Sequence, residues 1–335
     1  MQNGIDQKGA EKFLEEQDKK YGVNSIAEKT QEPSPEETKV TSLGKAQSYH
    51  TEPDMSAAYE SPWKLLDPAL LPSQGLFYPE GAELMLRSAK TKEIRHWSTI
   101  DETDPIDVRE KINFILNACT KFKIRGNAMA LNFNDFLEID RYHILFRIYE
   151  LTFPNQENKL WAYIKCEDAK CGYVNQTQVT SRNLKGFQYP QELMKWYSPE
   201  EKCFVIRSEK IGEVLKFYMP TIGIKSKFRQ KRREEEQKGV QIDESFYSQG
   251  PYLINDWRRA DSQSLSSLKI ASLDWSENKF VIVHKFTDQL EKSNLNKAVS
   301  VCEKCKTQTE SHIFLGGSFT VKDIFIISAG LDELI

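Results

Sequence analysis

The chain has 335 residues, of which 39% are hydrophobic and 28% charged, with a formal net charge of −3. That length fits one large domain or two ordinary ones, and the low hydrophobic share predicts an ordered body carrying a disordered segment. Near-balanced charge excludes a global field that recruits nucleic acid or a membrane surface, and no apolar run approaches the ~20 residues that span a bilayer.

Residues 1–62 stand apart. They hold seven Lys against twelve Asp and Glu, with no Trp and no Arg. Runs such as QEPSPEETKVTSLGKAQ cannot repay the entropy of folding, so this stretch reads as a flexible acidic tail that admits a short helix over Glu11–Tyr21. Order is expected from Trp63, in a subdomain over 63–155. Its opening prolines and glycine fix turns; a strand over Glu83–Arg87 and a helical turn after Thr91 follow. Asp104-Pro105 is a helix start, since Asp caps and Pro suits the first helical position. Ile106, Ile112, Ile115, Leu116 and Cys119 then recur at helical spacing, predicting a helix over 105–121. A second helix is expected from Asn134 or Asp135, with Ile139, Tyr142, Leu145, Phe146 and Tyr149 near one face.

Periodicity changes at Leu160, which opens a second subdomain over 156–335. Leu160, Ala162, Ile164 and Cys166 alternate with Trp161, Tyr163 and Lys165, the pattern of a strand. Further strands are predicted over Cys203–Arg207 and Leu215–Met219, the latter stopped by Pro220. The run KSKFRQKRREEEQKG is a charged helical stretch within an apparent insertion near 225–250. Residues 252–273 and 278–293 have helical spacing, although FVIVHKF within 279–287 reads equally well as a buried strand. The order of elements makes the fold class α+β.

The opening MQNGIDQKGAEKF has neither the basic flank nor the apolar core of a secretory signal, and neither end carries a lipidation pattern. A cytoplasmic chain keeps its thiols reduced, so the six cysteines are expected to serve metal binding or burial. Four of them form two turns: Cys166-x4-Cys171 and Cys302-x2-Cys305. Two thiols so spaced bend around one ion, two such turns complete a tetrahedron, and thiolate softness favours zinc over magnesium or calcium. Gly172 permits a tight turn after Cys171, and Lys165, Lys170, Lys304 and Lys306 offset the charge of a tetrathiolate. The pairs lie about 130 residues apart instead of the usual 15–20, so a shared ion would staple the end of the chain to its middle. The alternative is four thiols that hold no metal. Cys119 and Cys203 lie in apolar patterns and are expected in the core.

Phosphate-loop, dinucleotide, HExxH and GxSxG motifs are absent, and His50, His96, His143, His284 and His312 are scattered without partner motifs, so no catalytic residue is assigned. Asp135, Glu138 and Asp140 read as helix-start carboxylates. Lys225, Lys227, Arg229, Lys231, Arg232 and Arg233 offer a phosphate-tracking surface, but Glu234, Glu235 and Glu236 follow, and i,i+4 pairing such as Arg232 with Glu236 makes a solvated helix the better reading. The apolar end HIFLGGSFTVKDIFIISAGLDELI must dock into the body or into another subunit.

Several segments in order resemble the baseplate hub subunit and assembly proteins of T-even-like contractile-tailed bacteriophages. They are LPSQGLFYPEG leading into ELMLR and KTKEI, the helix DVREKINFILNACT, the segment FNDFLEIDRYHILFRIYELTF, WAYIKCEDAKC, LKFYMPTIG and VCEKC. The resemblance covers approximately residues 66–335. It implies a non-enzymatic component of the central hub region, located in the virion tail baseplate and, during assembly, in the host cytoplasm. Its partners would be other hub, wedge or tail proteins, with no membrane, nucleic acid or small-molecule substrate. Only Cys166, Cys171, Cys302 and Cys305 carry over as site residues, and the four-residue spacing of the first pair departs from the tighter turn of the pattern. A zinc-ribbon nucleic-acid-binding protein is the rival reading.

Overall fold

The computed structural model describes residues 62–127, 131–154, 160–312 and 324–325. Strand β1 (Lys64–Leu66), β2 (Ala82–Leu86) and β3 (Thr120–Ile124) form an antiparallel sheet in the order β1-β2-β3. Leu84 pairs with Leu66 on one side and Phe122 on the other, so an apolar row crosses the sheet. Between β2 and β3 run helices α1 (Thr91–Ser98) and α2 (Pro105–Cys119). Asp104 caps α2 as its residues predict: the carboxylate accepts the Ile106 N–H at 2.8 Å, and Pro105 occupies the first turn. Asp104→Ala is expected to cost about 1 kcal/mol, read as a fall in melting temperature of about 2–4 °C.

The second predicted helix starts later than its sequence suggests. Residues Phe133–Asp135 and Glu138–Asp140 are 3-10 turns, and α3 spans Arg141–Thr152. Asn132 and Asp135 cap each other reciprocally, and Leu137 is extended because it bridges to Thr221. A tertiary pairing thus overrides local helical preference.

Strands β4 (Trp161–Lys165) and β5 (Val174–Gln178) form a hairpin. Next come β6 (Leu184–Phe187), the short helix α4 (Gln191–Met194), and an antiparallel meander of β7 (Tyr197–Ser198), β8 (Cys203–Ser208) and β9 (Glu213–Phe217). Four helices follow: α5 (Ile222–Gln237), α6 (Glu244–Gln249), α7 (Ser262–Leu273) and α8 (Glu277–Lys292). The described chain then returns as β10 (Asn294–Val301) and β11 (Gln308–His312), forming a sheet in the order β11-β10-β6. The class is α+β.

FVIVHKF is helical. Ser276 caps α8, and Val283, Phe286, Thr287 and Leu290 share its buried face, where Phe286 stacks on Phe217 at 4.3 Å between ring centres. The expected helix over 252–273 is confined to α7, because Gly250–Leu253 and Trp257–Arg259 are 3-10 turns. The charged run packs one face against the body. Ile222, Ile224 and Phe228 are buried, and a Cβ on Gly223 would sit 2.5 Å from the Trp257 ring, so only glycine lets that indole lie against α5.

The two expected subdomains share one core. A continuous apolar cluster joins Leu84, Trp97, Ile115 and Phe146 to Phe204, Phe217 and Phe286, crossing the boundary expected at 155. Cys119 and Cys203 belong to the buried interior, as expected. Of the apolar C-terminal stretch after His312, the described residues are Ile324 and Phe325; both are buried, and Phe325 meets Trp97 edge-on. The acidic tail over 1–61 lies outside the described residues. No helix among the described residues is long and apolar enough to cross a membrane.

Candidate metal centre

The thiol pairs sit at the tips of two hairpins. In the first, Ala162 and Ile164 point inward while Trp161, Tyr163 and Lys165 point outward, so the strand alternation aims Cys166 at the interior, where it is buried. The turn to β5 is closed by Cys166 N–H donating to the Tyr173 carbonyl at 2.8 Å. In the second hairpin, Cys302 N–H donates to the Thr307 carbonyl at 2.9 Å. In each case the acceptor lies two residues beyond the second cysteine. The residue directly after that cysteine is left-handed in both, Gly172 at φ 59° and Lys306 at φ 63°. Two dissimilar sequences therefore build the same knuckle.

The two extra residues of the first turn are absorbed locally. Asp168 accepts the Lys170 N–H on its carboxylate at 2.9 Å, and its carbonyl accepts the N–H groups of Cys171 at 2.9 Å and Gly172 at 3.3 Å. An Asx turn of this kind folds back without a longer arc. The departure in spacing leaves the geometry of the knuckle intact.

Across the hairpins, the Cys166 and Cys305 Sγ atoms are 3.4 Å apart and those of Cys171 and Cys302 are 3.7 Å apart. All four sulfurs lie within 4.8 Å of one another. A tetrahedron with 2.3 Å metal–sulfur bonds has edges of about 3.8 Å, so the set surrounds a point that one ion can occupy. The cysteines are free thiols, and the sulfur separations exceed the ~2.05 Å of a disulfide. Cys302 is fully buried and Cys305 exposed, which puts one edge of the site at the surface.

Asn175 locks the hairpins together. Its amide donates to the Ile164 carbonyl at 3.3 Å and its Oδ1 accepts the Glu303 N–H at 2.9 Å. Thr177 Oγ1 donates to Ser300 Oγ at 2.6 Å, and the Tyr173 hydroxyl reaches Glu303 at 3.3 Å. Such contacts preorganise the thiols before any ion arrives. The thiols are electrostatically unequal: the N–H groups of Cys305 and Lys304 hold Cys302 down to about 6, while burial pushes Cys166 up to about 12.

Among the described residues, no other group of three or more His, Cys, Asp and Glu side chains gathers in this way. The three carboxylates of the 135–140 segment serve three separate pairs of partners. Asp135 binds the Trp257 indole N–H at 2.9 Å and Arg258 at 2.6 Å, Glu138 binds Arg141 at 3.3 Å and Arg229 at 3.4 Å, and Asp140 accepts from Ser73 N–H and the Tyr78 hydroxyl. Of the basic run, Lys225 pairs with Glu291, Lys231 with Glu235, and Arg232 with both Glu236 and Glu244. The Arg232–Glu236 pairing is the one its spacing predicts.

His96 lies against Phe114 and His284 bonds Gln249, so neither approaches the thiols as a ligand. His50 lies outside the described residues, as does the side chain of His312. Sequence reasoning missed Asn175, since a lone Asn in a polar strand carries no pattern that marks it as a brace. No protein-family model, curated protein or solved structure matches the chain.

Proposed function

We propose that this chain is a structural or assembly component of the baseplate hub region of a contractile-tailed phage, acting by protein–protein docking around a structural zinc ion. The observation that carries the non-catalytic part is the closed donor set. Four thiols fill a tetrahedron and leave no position for a substrate or an activated water, whereas catalytic zinc keeps one position open. Sulfur donors and tetrahedral spacing favour zinc. The hub assignment rests on the ordered segments that resemble that family.

Two exposed apolar groups suit docking. The outer face of the β4–β5 hairpin presents Trp161, Tyr163 and Val174, and the α7–α8 corner presents Ile270, Leu273 and Phe280. The helix pair α2 and α3 keeps most of its apolar side chains for the core, exposing Ile106 and Phe114 in part. The nucleic-acid rival loses support because much of the basic run is neutralised within the chain.

Mass spectrometry of purified particles and of baseplate intermediates from infected cells tests the reading. The chain is expected in one of them together with hub proteins, in a salt-resistant association. Recovery outside every tail intermediate, or nucleic-acid binding that weakens steeply with salt, overturns it.

A further inference from the structure

A cleft of about 930 Å³ opens beside α3, bounded by the turn near Leu71 and by the segment from Ser181 through α4. Its wall carries Arg147, Arg182 and Lys185, and no carboxylate among the described residues. Two neighbouring carboxylates are already shared. Glu150 accepts the N–H and hydroxyl of Ser181 at 2.6 and 2.8 Å and reaches Arg147 at 3.3 Å. Glu310 is divided between Lys185 at 2.5 Å and Lys297 at 3.3 Å. The three cations of the wall therefore share two carboxylates, one of which is divided with Lys297 outside the cleft.

The wall also holds donors without acceptors. His143 stands one helical turn before Arg147 on α3 and is 9% exposed. Among the described residues, neither of its ring nitrogens, nor Arg147 Nε, has a hydrogen-bond partner. Burial, reinforced by Arg147, pulls His143 down to about 4, so the ring is neutral near pH 7 and keeps one N–H to give. Buried polar groups are ordinarily satisfied, so this wall carries polar capacity that the described residues leave unused.

We infer that this cleft binds a phosphorylated small molecule, with Arg147 and Arg182 holding the phosphate oxygens. Arg182 is left without a counter-charge among the described residues, and guanidinium forks bind phosphate oxygens in pairs. The volume lies in the ~300–1,000 Å³ range of small-molecule sites, and Leu71, Phe187 and Met194 supply an apolar wall for the remainder of the molecule. The inference is independent of the hub assignment and of the thiol site.

Calorimetric titration of the full chain at low salt, with pyrophosphate as the probe and glutarate as a dicarboxylate comparison, tests it. Arg182 is exposed and its side chain makes no hydrogen bond or ion pair with another described residue, so Arg182→Ala is expected to fold normally. The expected result is saturable binding of one pyrophosphate per chain, weakened at least tenfold in Arg182→Ala and unchanged in Arg259→Ala, whose side chain lies outside the cleft. The absence of saturable binding, equal affinity in Arg182→Ala, or glutarate binding as tightly as pyrophosphate overturns it.

Discussion

Cys302→Ser is expected to strip the metal from the chain and to lower its melting temperature by about 10–15 °C. The sulfur is fully buried, and a serine hydroxyl at that point is a poor ligand for a soft-donor site. The size of the effect follows from loop closure. Cys171 and Cys302 are 131 residues apart in sequence, and Cys166 and Cys305 are 139 apart. Cross-linking a loop of this length removes about 4–5 kcal/mol of unfolded-state entropy in the chain model. For a body of this size each kcal/mol moves the melting temperature by about 2–4 °C. Without the ion, the β10–β11 hairpin is held by its pairing with β6 and by the Asn175 and Thr177 contacts. Metal analysis beside thermal melts reads both consequences. Cys203→Ala is the control: it removes a buried thiol from the core and is expected to melt earlier while retaining one metal per chain. A Cys302→Ser variant with full metal content, or with the melting temperature of the parent, sinks the staple.

The thiol site was legible because ligand spacing is local: each knuckle is written in a few residues, and two half-sites need each other. What the residues do not spell out is how the hairpins meet. β5, β6 and β10 have weak alternation, and their pairing is fixed by tertiary contacts such as Lys297 with Lys185 and Asn175 with Glu303. α2 was legible through its Asp-Pro cap and apolar spacing, yet the strand TKFKI directly behind it was hidden by a predicted helix end two residues too far on. Burial explains why the period at 279–287 left helix and strand both open. A run such as FVIVHKF is apolar enough for either period, and the decision falls to Ser276, which caps it, and to the ring of Phe217, which gives Phe286 somewhere to pack. The cleft at His143, Arg147, Arg182 and Lys185 has no sequence signature, because its cations come from a helix, a turn and a strand that only the fold assembles.

Two buried groups close to each other in sequence are expected to give opposite slopes of stability against pH. Asp140 is fully buried, and burial pushes its carboxyl up to about 6 despite the Ser73 and Tyr78 hydrogen bonds. In the unfolded chain an Asp titrates near 3.9, so the folded state binds the proton first and gains stability as pH falls. His143 runs the other way. Held down to about 4 when folded and free to titrate near 6.5 when unfolded, it withdraws stability as pH falls through the same window. Between pH 7 and pH 5 the linkage relation gives a gain of about 1 kcal/mol from Asp140 and a loss of about 2 kcal/mol from His143. The two oppose each other in the parent. Asp140→Asn leaves the loss alone, so denaturant melts are expected to show that variant weakening towards pH 5 by about 1 kcal/mol more than the parent. His143→Phe leaves the gain alone and is expected to strengthen relative to the parent by about 2 kcal/mol over the same interval. Each variant also carries a constant offset from its altered hydrogen bonds and packing. The slope difference therefore carries the test, and ion pairs elsewhere drop out of it because parent and variant share them. Curves for Asp140→Asn and the parent that run parallel from pH 7 to pH 5 would show that the carboxyl at 140 is ionised throughout, its donors outweighing its burial.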